Sequence, residues 1–292
     1  MRLHLVDGTF ELFRAHFSKR PSHAGPTGKD LKGAVGVVQS MLGLLEDPSE
    51  AVTHLGVAFD NPIRSFRNDL FDGYKTEEGV PPELLAQFDD VEEGVAALGV
   101  TVWSMKEFEA DDALATAAKR GADDPRVSQV RILTPDKDLG ACLQGERVVQ
   151  VDRMRNRLIT EATQLKDKGL YPQSVPDFLG LVGDTSDGIP GLDGWGEKGA
   201  AQVLGTYRHL EDIPLKAADW KSPPRAAEKM AASLAAGLDD AKLYRKLATL
   251  RFDVPLPQTL EQLEWKGVPR AKFEAWSKKV GASLASRVRR WA

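Results

Sequence analysis

Cysteine is nearly absent from this sequence, and that scarcity excludes several classes of protein. Cys142 is the single cysteine among 292 residues, so a disulfide within the chain and a cysteine-based zinc site are both excluded. No apolar run reaches the roughly 18 residues that a membrane-spanning helix needs. Asp7 interrupts the N-terminus too early for the apolar region of a signal peptide. We therefore expect a cytoplasmic protein with no membrane partner.

A phosphate-binding Gly-Lys-Ser/Thr loop is also missing, so we expect no nucleotide cofactor. The net charge of −4 argues at first against a nucleic-acid partner. Charge placement argues otherwise, because residues 266–292 hold eight basic residues and one acid, Glu274. Such a basic tail is suited to non-specific, salt-dependent contacts with phosphates. Its tryptophans, Trp276 and Trp291, are better explained by packing of an amphipathic helix on the core.

The order of apolar and amphipathic segments predicts an α/β fold with a mainly parallel central sheet and helices on both faces. Five β-like runs, at 3–6, 55–59, 100–103, 130–133 and 148–151, alternate with helix-like segments at 33–45, 82–98 and 112–120. After about Thr160 the strand signal fades and short helices follow. We divide the chain into an α/β core at 1–160, a helical lobe at 161–255 and a basic helical tail at 256–292.

Acidic residues follow several of the predicted strands directly. Asp7 follows the first strand, Asp60 the second, and Asp136 and Asp138 the fourth. Because the carboxyl ends of parallel strands share one edge of a sheet, these acids are expected at the same edge. Two further acidic groups lie in the segments 109–112 and 184–187. The full set has nine members: Asp7, Asp60, Glu109, Asp111, Asp112, Asp136, Asp138, Asp184 and Asp187.

Nine carboxylates at one edge would repel one another unless cations hold them together. All-oxygen ligand sets favour Mg²⁺ or Mn²⁺, and a pair of such ions is typical of phosphodiester hydrolysis. The alternative is that individual acids cap helices or form turns. For Asp7 and Asp112 that explanation is as good as metal binding, but it does not account for all nine acids together.

These residues form motifs that resemble those of the bacterial and phage 5′-nucleases, the flap endonuclease and 5′→3′ exonuclease family that includes the N-terminal nuclease domain of bacterial DNA polymerase I. The motifs run in order over roughly residues 1–255: Val6-Asp7-Gly8, Phe59-Asp60, Phe66-Arg67 with Tyr74-Lys75, Glu109-Ala110-Asp111-Asp112, Thr134-Pro135-Asp136-Lys137-Asp138-Leu139, Gly183-Asp184-Thr185-Ser186-Asp187-Gly188-Ile189-Pro190-Gly191 and Gly194-Trp195-Gly196-Glu197-Lys198. The resemblance implies a PIN-like core and a stand-alone relative of the polymerase domain.

The same resemblance implies a division of the acids between two ions. Asp7, Asp60, Glu109 and Asp111 would serve the first metal, with Asp112 and Asp136 close to it. Asp138, Asp184 and Asp187 would serve the second. Three positions depart from the usual family pattern: Pro135 stands where glycine is usual, Gly188 where asparagine is frequent, and Glu78, beside Glu77, where the clamp often has arginine.

The family's clamp, or arch, over the active site corresponds here to about residues 61–82. By resemblance, Lys75 and Arg67 would draw the scissile phosphate towards the metals, Arg64 would contact DNA and Tyr74 would stack on a base. Arg14 matches a basic position near the phosphate in relatives, and a surface ion pair explains it equally well. Glu77 and Glu78 weaken the basic character of this segment.

A glycine-rich turn opens a predicted helix at residues 191–201. Glycines allow a tight turn and close approach of the backbone to a phosphate. The turn resembles the family's helix-hairpin-helix (helix–three-turn–helix) element, which grips duplex DNA and can hold K⁺. Gly194, Gly196 and Lys198 are the DNA contacts that this resemblance implies.

Together these features predict a monomeric, Mg²⁺- or Mn²⁺-dependent 5′-nuclease that cuts DNA with 5′ flaps, 5′ ends or junctions during replication and repair. Its specificity is expected to follow DNA structure, because phosphate contacts carry no base information. Two alternatives remain open at this point. One is a PIN-like ribonuclease, which shares the acidic sheet edge. The other is a junction-binding protein that has lost catalysis.

Overall fold

The structure is a computed structural model that describes all residues, 1–292. Its six strands are β1 (Arg2–Asp7), β2 (His54–Asp60), β3 (Thr101–Met105), β4 (Gln129–Leu133), β5 (Val148–Asp152) and β6 (Arg157–Ile159). Its eleven α-helices are α1 (Gly8–His16), α2 (Lys32–Leu45), α3 (Pro82–Leu85), α4 (Phe88–Ala97), α5 (Ala110–Asp123), α6 (Glu161–Lys168), α7 (Val175–Val182), α8 (Glu197–Tyr207), α9 (Ala227–Ala236), α10 (Leu238–Ala248) and α11 (Arg270–Val280). Contacts divide the chain into two units. Unit 1 contains residues 1–64, 77–134 and 252–292, and unit 2 contains residues 65–76 and 135–251.

Unit 1 is built on four parallel strands in the order β3-β2-β1-β4. Every residue of β2 is buried, as is all of β1 after its first residue, which explains the continuous apolar runs in the sequence. Helix α5 contacts all four strands, α1 contacts β2, and α4 contacts β2 and β3. Gly56 on β2 leaves room for the Trp103 ring, which any side chain there would overlap. The sheet is therefore packed closely enough to hold its strand ends at fixed positions.

The C-terminal segment is part of unit 1, where α11 packs against α4. Trp276 is buried, and its indole Nε1 donates to the Asp90 carbonyl oxygen at 2.9 Å. Lys279 pairs with Asp90 at 2.9 Å. Packing of Trp276 agrees with the explanation from helix amphipathicity. The domain boundaries at about 160 and 255 remain a prediction, because each of the two contact units combines segments that are separate in the sequence.

Unit 2 holds the antiparallel pair β5–β6 and the helices α6 to α10. Helix α7 is central, because it packs against both α10 and α8. The core of the unit includes Trp195 and Trp220, whose ring centres are 6.1 Å apart. No helix of the protein combines the length and the apolar character needed to cross a membrane.

The structure confirms the five predicted strands within one or two residues. It adds β6, whose three residues are too few to show a clear strand pattern in the sequence. The predicted helix at 82–98 is wrong as one element. Two helices, α3 and α4, occupy that segment. The buried Gln87 lies between them, with its side-chain amide donating to the Glu83 carbonyl and accepting from the Ala34 backbone. The break between α3 and α4 thus coincides with hydrogen bonds of the Gln87 side chain, one of which reaches α2.

Candidate metal centre

Three carboxylates of unit 2 form a compact cluster. One carboxylate oxygen each from Asp138, Asp184 and Asp187 lies within 4.8 Å of the others. Asp138 and Asp184 are buried, and Asp187 is half-buried. We name these three residues the acidic triad. They are the set that the sequence analysis assigned to a second metal ion.

The backbone around the triad explains how residues far apart in sequence meet. Asp138 begins a short 3-10 helix at Asp138–Cys142. Asp184 and Ile189 exchange two backbone hydrogen bonds of 2.8 Å each, which closes a tight loop after α7. Gly183 and Gly188 flank this loop with φ of +87° and +73°, a region that glycine enters without strain. The loop thereby presents both of its acids on one short segment.

Gly188 has a second requirement besides its positive φ. A Cβ at this position would overlap the carbonyl oxygen of Gly73. The segment next to Gly73 is tied to the same loop, because the Lys75 backbone N–H donates to the Asp187 carbonyl at 3.0 Å. The departure from asparagine at Gly188 therefore fits the close approach of these two backbones in this chain.

Two lysines compensate part of the negative charge of the triad. Lys75 Nζ lies 2.8 Å from Asp187 Oδ1, and Lys137 Nζ lies 3.0 Å from Asp184 Oδ2. Asp184 also accepts hydrogen bonds from the backbone N–H and hydroxyl of Ser186. Lys137 was not among the site residues expected from the sequence. Its position between Asp136 and Asp138 in the acidic motif was the available signal.

Asp138 forms no such ion pair, and Lys137 acts on it only through its nearby charge. Burial raises the pKa of its carboxyl well above the ordinary value, and the charges of Asp136, Asp187 and Asp184 act in the same direction. Its buried Oδ1 has no hydrogen-bond partner. A buried, unpartnered carboxylate oxygen beside two further carboxylates is what a hard divalent cation would satisfy, so the residues fit a metal ion.

Asp184 and Lys137 show the opposite balance. Burial alone would raise the pKa of Asp184, but hydrogen bonds from Ser186 and Lys137 outweigh it, and the pKa is lowered. Burial would lower the pKa of Lys137, but its hydrogen bond to Asp184 and the nearby acids raise it instead. Both groups of this pair therefore stay charged near neutral pH.

The acids of unit 1 lie at strand ends, as the parallel-sheet argument predicts. Asp7 ends β1, and its carboxylate accepts from the Phe10 backbone at 2.8 Å and from the Thr134 hydroxyl at 3.0 Å. Asp60 ends β2, and its carboxylate accepts from the Ala110 backbone at 2.7 Å, at the start of α5. Asp7 therefore does cap α1, the alternative that the sequence left open, while its second oxygen bonds elsewhere.

Glu109 and Asp112 form a reciprocal cap at the start of α5. Asp112 Oδ2 accepts from the Glu109 backbone at 3.0 Å, and the Glu109 side chain accepts from the backbone of the third helical residue. Both side chains are buried, whereas Asp111 is half-buried. Asp136 is exposed and accepts from the Asp138 backbone at 2.9 Å. Asp112 thus has a structural role, and a metal-binding role for these acids stays a prediction.

The structure places two of the predicted clamp residues in the interior of unit 2. Arg67 is buried, and its guanidinium donates to the carbonyl oxygens of Leu247 at 2.7 Å and Thr249 at 3.0 Å. Those carbonyls lie at the end of α10, where backbone acceptors lack helical partners. Tyr74 is 3% exposed and belongs to the core of the unit. The expected phosphate contact of Arg67 and base stacking of Tyr74 are therefore corrected to structural roles in this arrangement.

The remaining basic candidates differ in exposure. Arg14 contacts the buried Glu11 and donates to the Ser40 hydroxyl at 3.1 Å, which matches the ion-pair explanation. The Arg64 side chain is exposed, and its backbone N–H donates to Glu77 at 3.4 Å. Lys75 is half-buried through its contact with Asp187. A DNA-binding role for each of these cations stays a prediction.

The glycine-rich turn in unit 2 forms the expected entry to a helix. Gly194 has φ of +81°, and Gly196 is the N-cap of α8 with open space around it. Lys198 lies in the first turn and is exposed. Trp195 is buried, and its Nε1 donates to the Met230 carbonyl at 3.0 Å. The turn leaves backbone and lysine accessible while the tryptophan packs inside.

Comparison with known proteins gives consistent matches over most of the chain. The family described as "5′-3′ exonuclease, N-terminal resolvase-like domain" matches residues 2–169, and the one described as "5′-3′ exonuclease, C-terminal SAM fold" matches residues 170–271. A 5′-3′ exonuclease of Bacillus subtilis is 31% identical over 271 residues, covering 89% of this chain and 86% of its own length. DNA polymerase I of Rhizobium leguminosarum is 34% identical, and the match covers 89% of this chain but 26% of that protein.

The fold has solved counterparts. A flap endonuclease of bacteriophage T5, determined in a complex with DNA and metal ions, superposes with a TM-score of 0.62 and 18% identity. The match covers 85% of this chain and 89% of that one. At this identity the likeness shows a shared fold, in agreement with the α/β core and helical second part expected from the sequence.

Proposed function

The chain belongs to the 5′-3′ exonuclease family, and from that premise we propose that it is a divalent-metal-dependent, structure-specific 5′-nuclease. Its substrates in this proposal are DNA molecules with 5′ flaps, free 5′ ends or junctions. It hydrolyses phosphodiesters with two ions, Mg²⁺ or Mn²⁺, and acts in DNA replication and repair. The chain corresponds to about a quarter of the Rhizobium polymerase, so the polymerase activity of that relative is not part of the proposal.

The acidic triad is the observation that carries this proposal. Asp138 leaves a buried oxygen without a hydrogen-bond donor, and Asp184 and Asp187 bring two more carboxylates within 4.8 Å. Without a cation this arrangement is electrostatically costly. Members of a helix cap or a surface ion-pair network would instead each have a donor. Support from outside the chain comes from the T5 flap endonuclease, whose structure contains DNA and metal ions.

In this proposal the triad holds one ion, and Asp7, Asp60, Glu109 and Asp111 hold the other. Bound divalent ions lower the pKa of an attacking water and stabilise the attacking and leaving oxygens. Lys137 and Lys75 pair with acids of the triad and so limit the repulsion between these acids. With an ion held among the acids, Lys75 would be free to contact a substrate phosphate, which is the role that we propose for it.

The glycine-rich turn is the proposed grip on duplex DNA. Gly196 is the N-cap of α8, and the free backbone N–H groups of the first helical turn favour a phosphate oxygen. Lys198 adds a positive charge in the first turn. We propose a potassium ion at this turn as well. The expectations of a monomer and of a cytoplasmic location belong to the same proposal and rest on the sequence.

A 5′-labelled flap duplex tests the proposed activity. We expect the full chain to cut near the base of the flap with Mg²⁺ or Mn²⁺ and to be inactive in EDTA, with products resolved by size. An RNA strand of the same structure serves as the comparison for a ribonuclease. Release of mononucleotides alone would restrict the proposal to an exonuclease, and DNA binding without cleavage would favour a junction-binding protein.

A double variant, Asp136→Asn with Asp138→Asn, connects the activity to the site. We expect it to lose cleavage by at least about 100-fold while it still binds the duplex, because loss of even an outer-shell partner of a metal ligand typically costs about 10–100-fold. Asp219→Asn is the matched control, since Asp219 is an exposed acid of the same unit outside the site. Undiminished cleavage by the double variant would refute the assignment of the site.

A further inference from the structure

A cavity of about 280 Å³ lies within unit 2, between helices α6, α7 and α8. Its walls include the apolar side chains of Leu170, Val175 and Phe178. The first two are buried, whereas the Phe178 ring is partly accessible. This volume is near the lower end of pockets that take small molecules, about 300 Å³. An accessible aromatic ring in such a wall can stack on a flat ring of a ligand.

Three lysines also line the cavity: Lys137, Lys168 and Lys198. Lys137 pairs with Asp184 at the acidic triad. No ion pair within 4.0 Å holds Lys168 on α6 or Lys198 on α8. The two ammonium groups therefore come from different helices and border one concave space.

The acids of the lining do not cancel this charge. Asp167 forms an ion pair with Arg157, which lies outside the lining. Glu197, in the first turn of α8, is the remaining acid. Lys168 and Lys198 therefore share the cavity with one acid that has no ion pair, Glu197, and the cavity keeps an excess of positive charge.

Lys168 shows the effect of this excess. Although the residue as a whole is exposed, desolvation of its ammonium group lowers its pKa, and the positive charges of Lys137 and Arg157 lower it further, while Glu197 and Asp136 act in the opposite direction. A group of cations whose members disfavour one another is stabilised by an anion between them. A phosphate monoester, with two negative charges, meets this requirement better than a single carboxylate does.

We propose that this cavity binds a phosphate monoester attached to a flat ring, that is, a 5′-nucleotide, with the phosphate at Lys168 and Lys198 and the base on Phe178. The ligand can be a free 5′-mononucleotide or the 5′-terminal nucleotide of a strand. The choice of nucleotides among phosphate monoesters rests on the proposed nuclease function. The cavity and its lysines do not depend on it.

Isothermal titration calorimetry with deoxyadenosine 5′-monophosphate tests the proposal on the full chain in EDTA. Inorganic phosphate, deoxyadenosine and a short 5′-phosphorylated oligonucleotide are the comparison ligands. We expect the monophosphate to bind at least about tenfold more tightly than deoxyadenosine, because its phosphate adds charge-assisted hydrogen bonds from the lysines. Binding of the oligonucleotide with the same lysine dependence would identify the strand end as the ligand. Binding of the free monophosphate alone would identify the mononucleotide.

Three variants separate the parts of the proposed pocket. Lys168→Ala is expected to weaken binding of the monophosphate at least about tenfold. Lys166→Ala is the matched control, because Lys166 is an exposed lysine of the same helix outside the lining, and it should leave binding unchanged. Phe178→Leu should weaken the monophosphate but not inorganic phosphate.

Equal losses in Lys166→Ala and Lys168→Ala would overturn the assignment, as would equal affinity for deoxyadenosine and its monophosphate. Binding of inorganic phosphate alone, with no effect of Phe178→Leu, would overturn the proposal that the ligand is a nucleotide. These measurements involve no cleavage. A protein that binds the nucleotide but fails the flap assay therefore refutes the proposed function alone, and the reverse result refutes the pocket alone.

Discussion

Asp138→Asn is expected to stabilise the protein in EDTA and to destroy its response to divalent metal. Its carboxylate lies within 4.8 Å of those of Asp184 and Asp187. Two like charges at that distance repel by about 3 kcal/mol at an effective dielectric constant of about 20. Lys75 and Lys137 offset much of this. We therefore expect a net gain of about 1–3 kcal/mol in the free energy of unfolding.

Thermal unfolding with and without Mg²⁺ measures both effects. A gain of 1 kcal/mol corresponds to roughly 2–4 °C in Tm for chains of this order of size, so Asp138→Asn should unfold several degrees above the wild type in EDTA. Because the wild-type carboxyl ionises as the pH rises, the difference should grow with pH. Mg²⁺ at about 100 times its Kd should stabilise the wild type by about 2.7 kcal/mol and the variant much less.

The control for this prediction is Asp219→Asn, which removes an exposed acid of the same unit and should change neither Tm nor the response to Mg²⁺. A variant at Asp138 that unfolds below the wild type in EDTA, with an unchanged Mg²⁺ response, would refute the reasoning. That result would mean that the buried carboxylate is satisfied within the protein and serves stability rather than metal binding.

Three further predictions concern the rest of the structure. Arg67→Ala should cost about 3 kcal/mol or more in urea unfolding, because it leaves buried carbonyls of the α10 end without a donor; a loss below about 0.5 kcal/mol would contradict the buried role. Gly188→Asn should cost about 1–3 kcal/mol and weaken Mg²⁺ stabilisation, because its Cβ would overlap the Gly73 carbonyl oxygen; unchanged unfolding would show that the two backbones are not close. The hydrogen bond from His4 lowers the pKa of Glu50 from 4.5 to about 2 against the effect of burial, so Glu50 contributes stability above about pH 4.5 that is lost as the pH falls towards 2. After allowance for solvent screening we expect that contribution to be about 1–2 kcal/mol, and the difference in unfolding free energy between the wild type and Glu50→Gln should shrink over that pH range rather than stay constant.

The position of the acids at strand ends could be predicted because it depends on chain order and strand period alone. Parallel strands place their carboxyl ends at one edge, and Asp7 and Asp60 do end β1 and β2. The members of the triad could be predicted from their motifs, but the geometry in which they meet could not. The loop that presents Asp184 and Asp187 is closed locally by backbone hydrogen bonds between Asp184 and Ile189, but its place beside Asp138 depends on tertiary packing, which no local pattern encodes.

Arg67 and Tyr74 show where reasoning from the sequence reached its limit. A positive or aromatic residue in a predicted DNA-binding segment suggests an exposed contact, because the sequence does not reveal what packs over it. Arg67 instead meets carbonyls near residue 248, about 180 positions away along the chain. Such long-range partners decide whether an arginine is a surface contact or a buried support.

The same limit applies to Lys168 and Phe178. Neither belongs to an acidic or glycine-rich motif, and each is ordinary for its own helix. They border one cavity only because α6 and α7 pack beside α8 in unit 2. Their joint appearance with Lys198 is a property of tertiary packing, so only a structure could indicate it.

Anomalous diffraction from crystals of the full chain grown with Mn²⁺ shows directly whether a divalent ion binds at the acidic triad. We predict an anomalous peak bound by oxygens of the acidic triad in the wild type. The Asp138→Asn variant should lack that peak. Full occupancy of Mn²⁺ elsewhere with none at the triad, or an unchanged peak in the variant, would contradict the account.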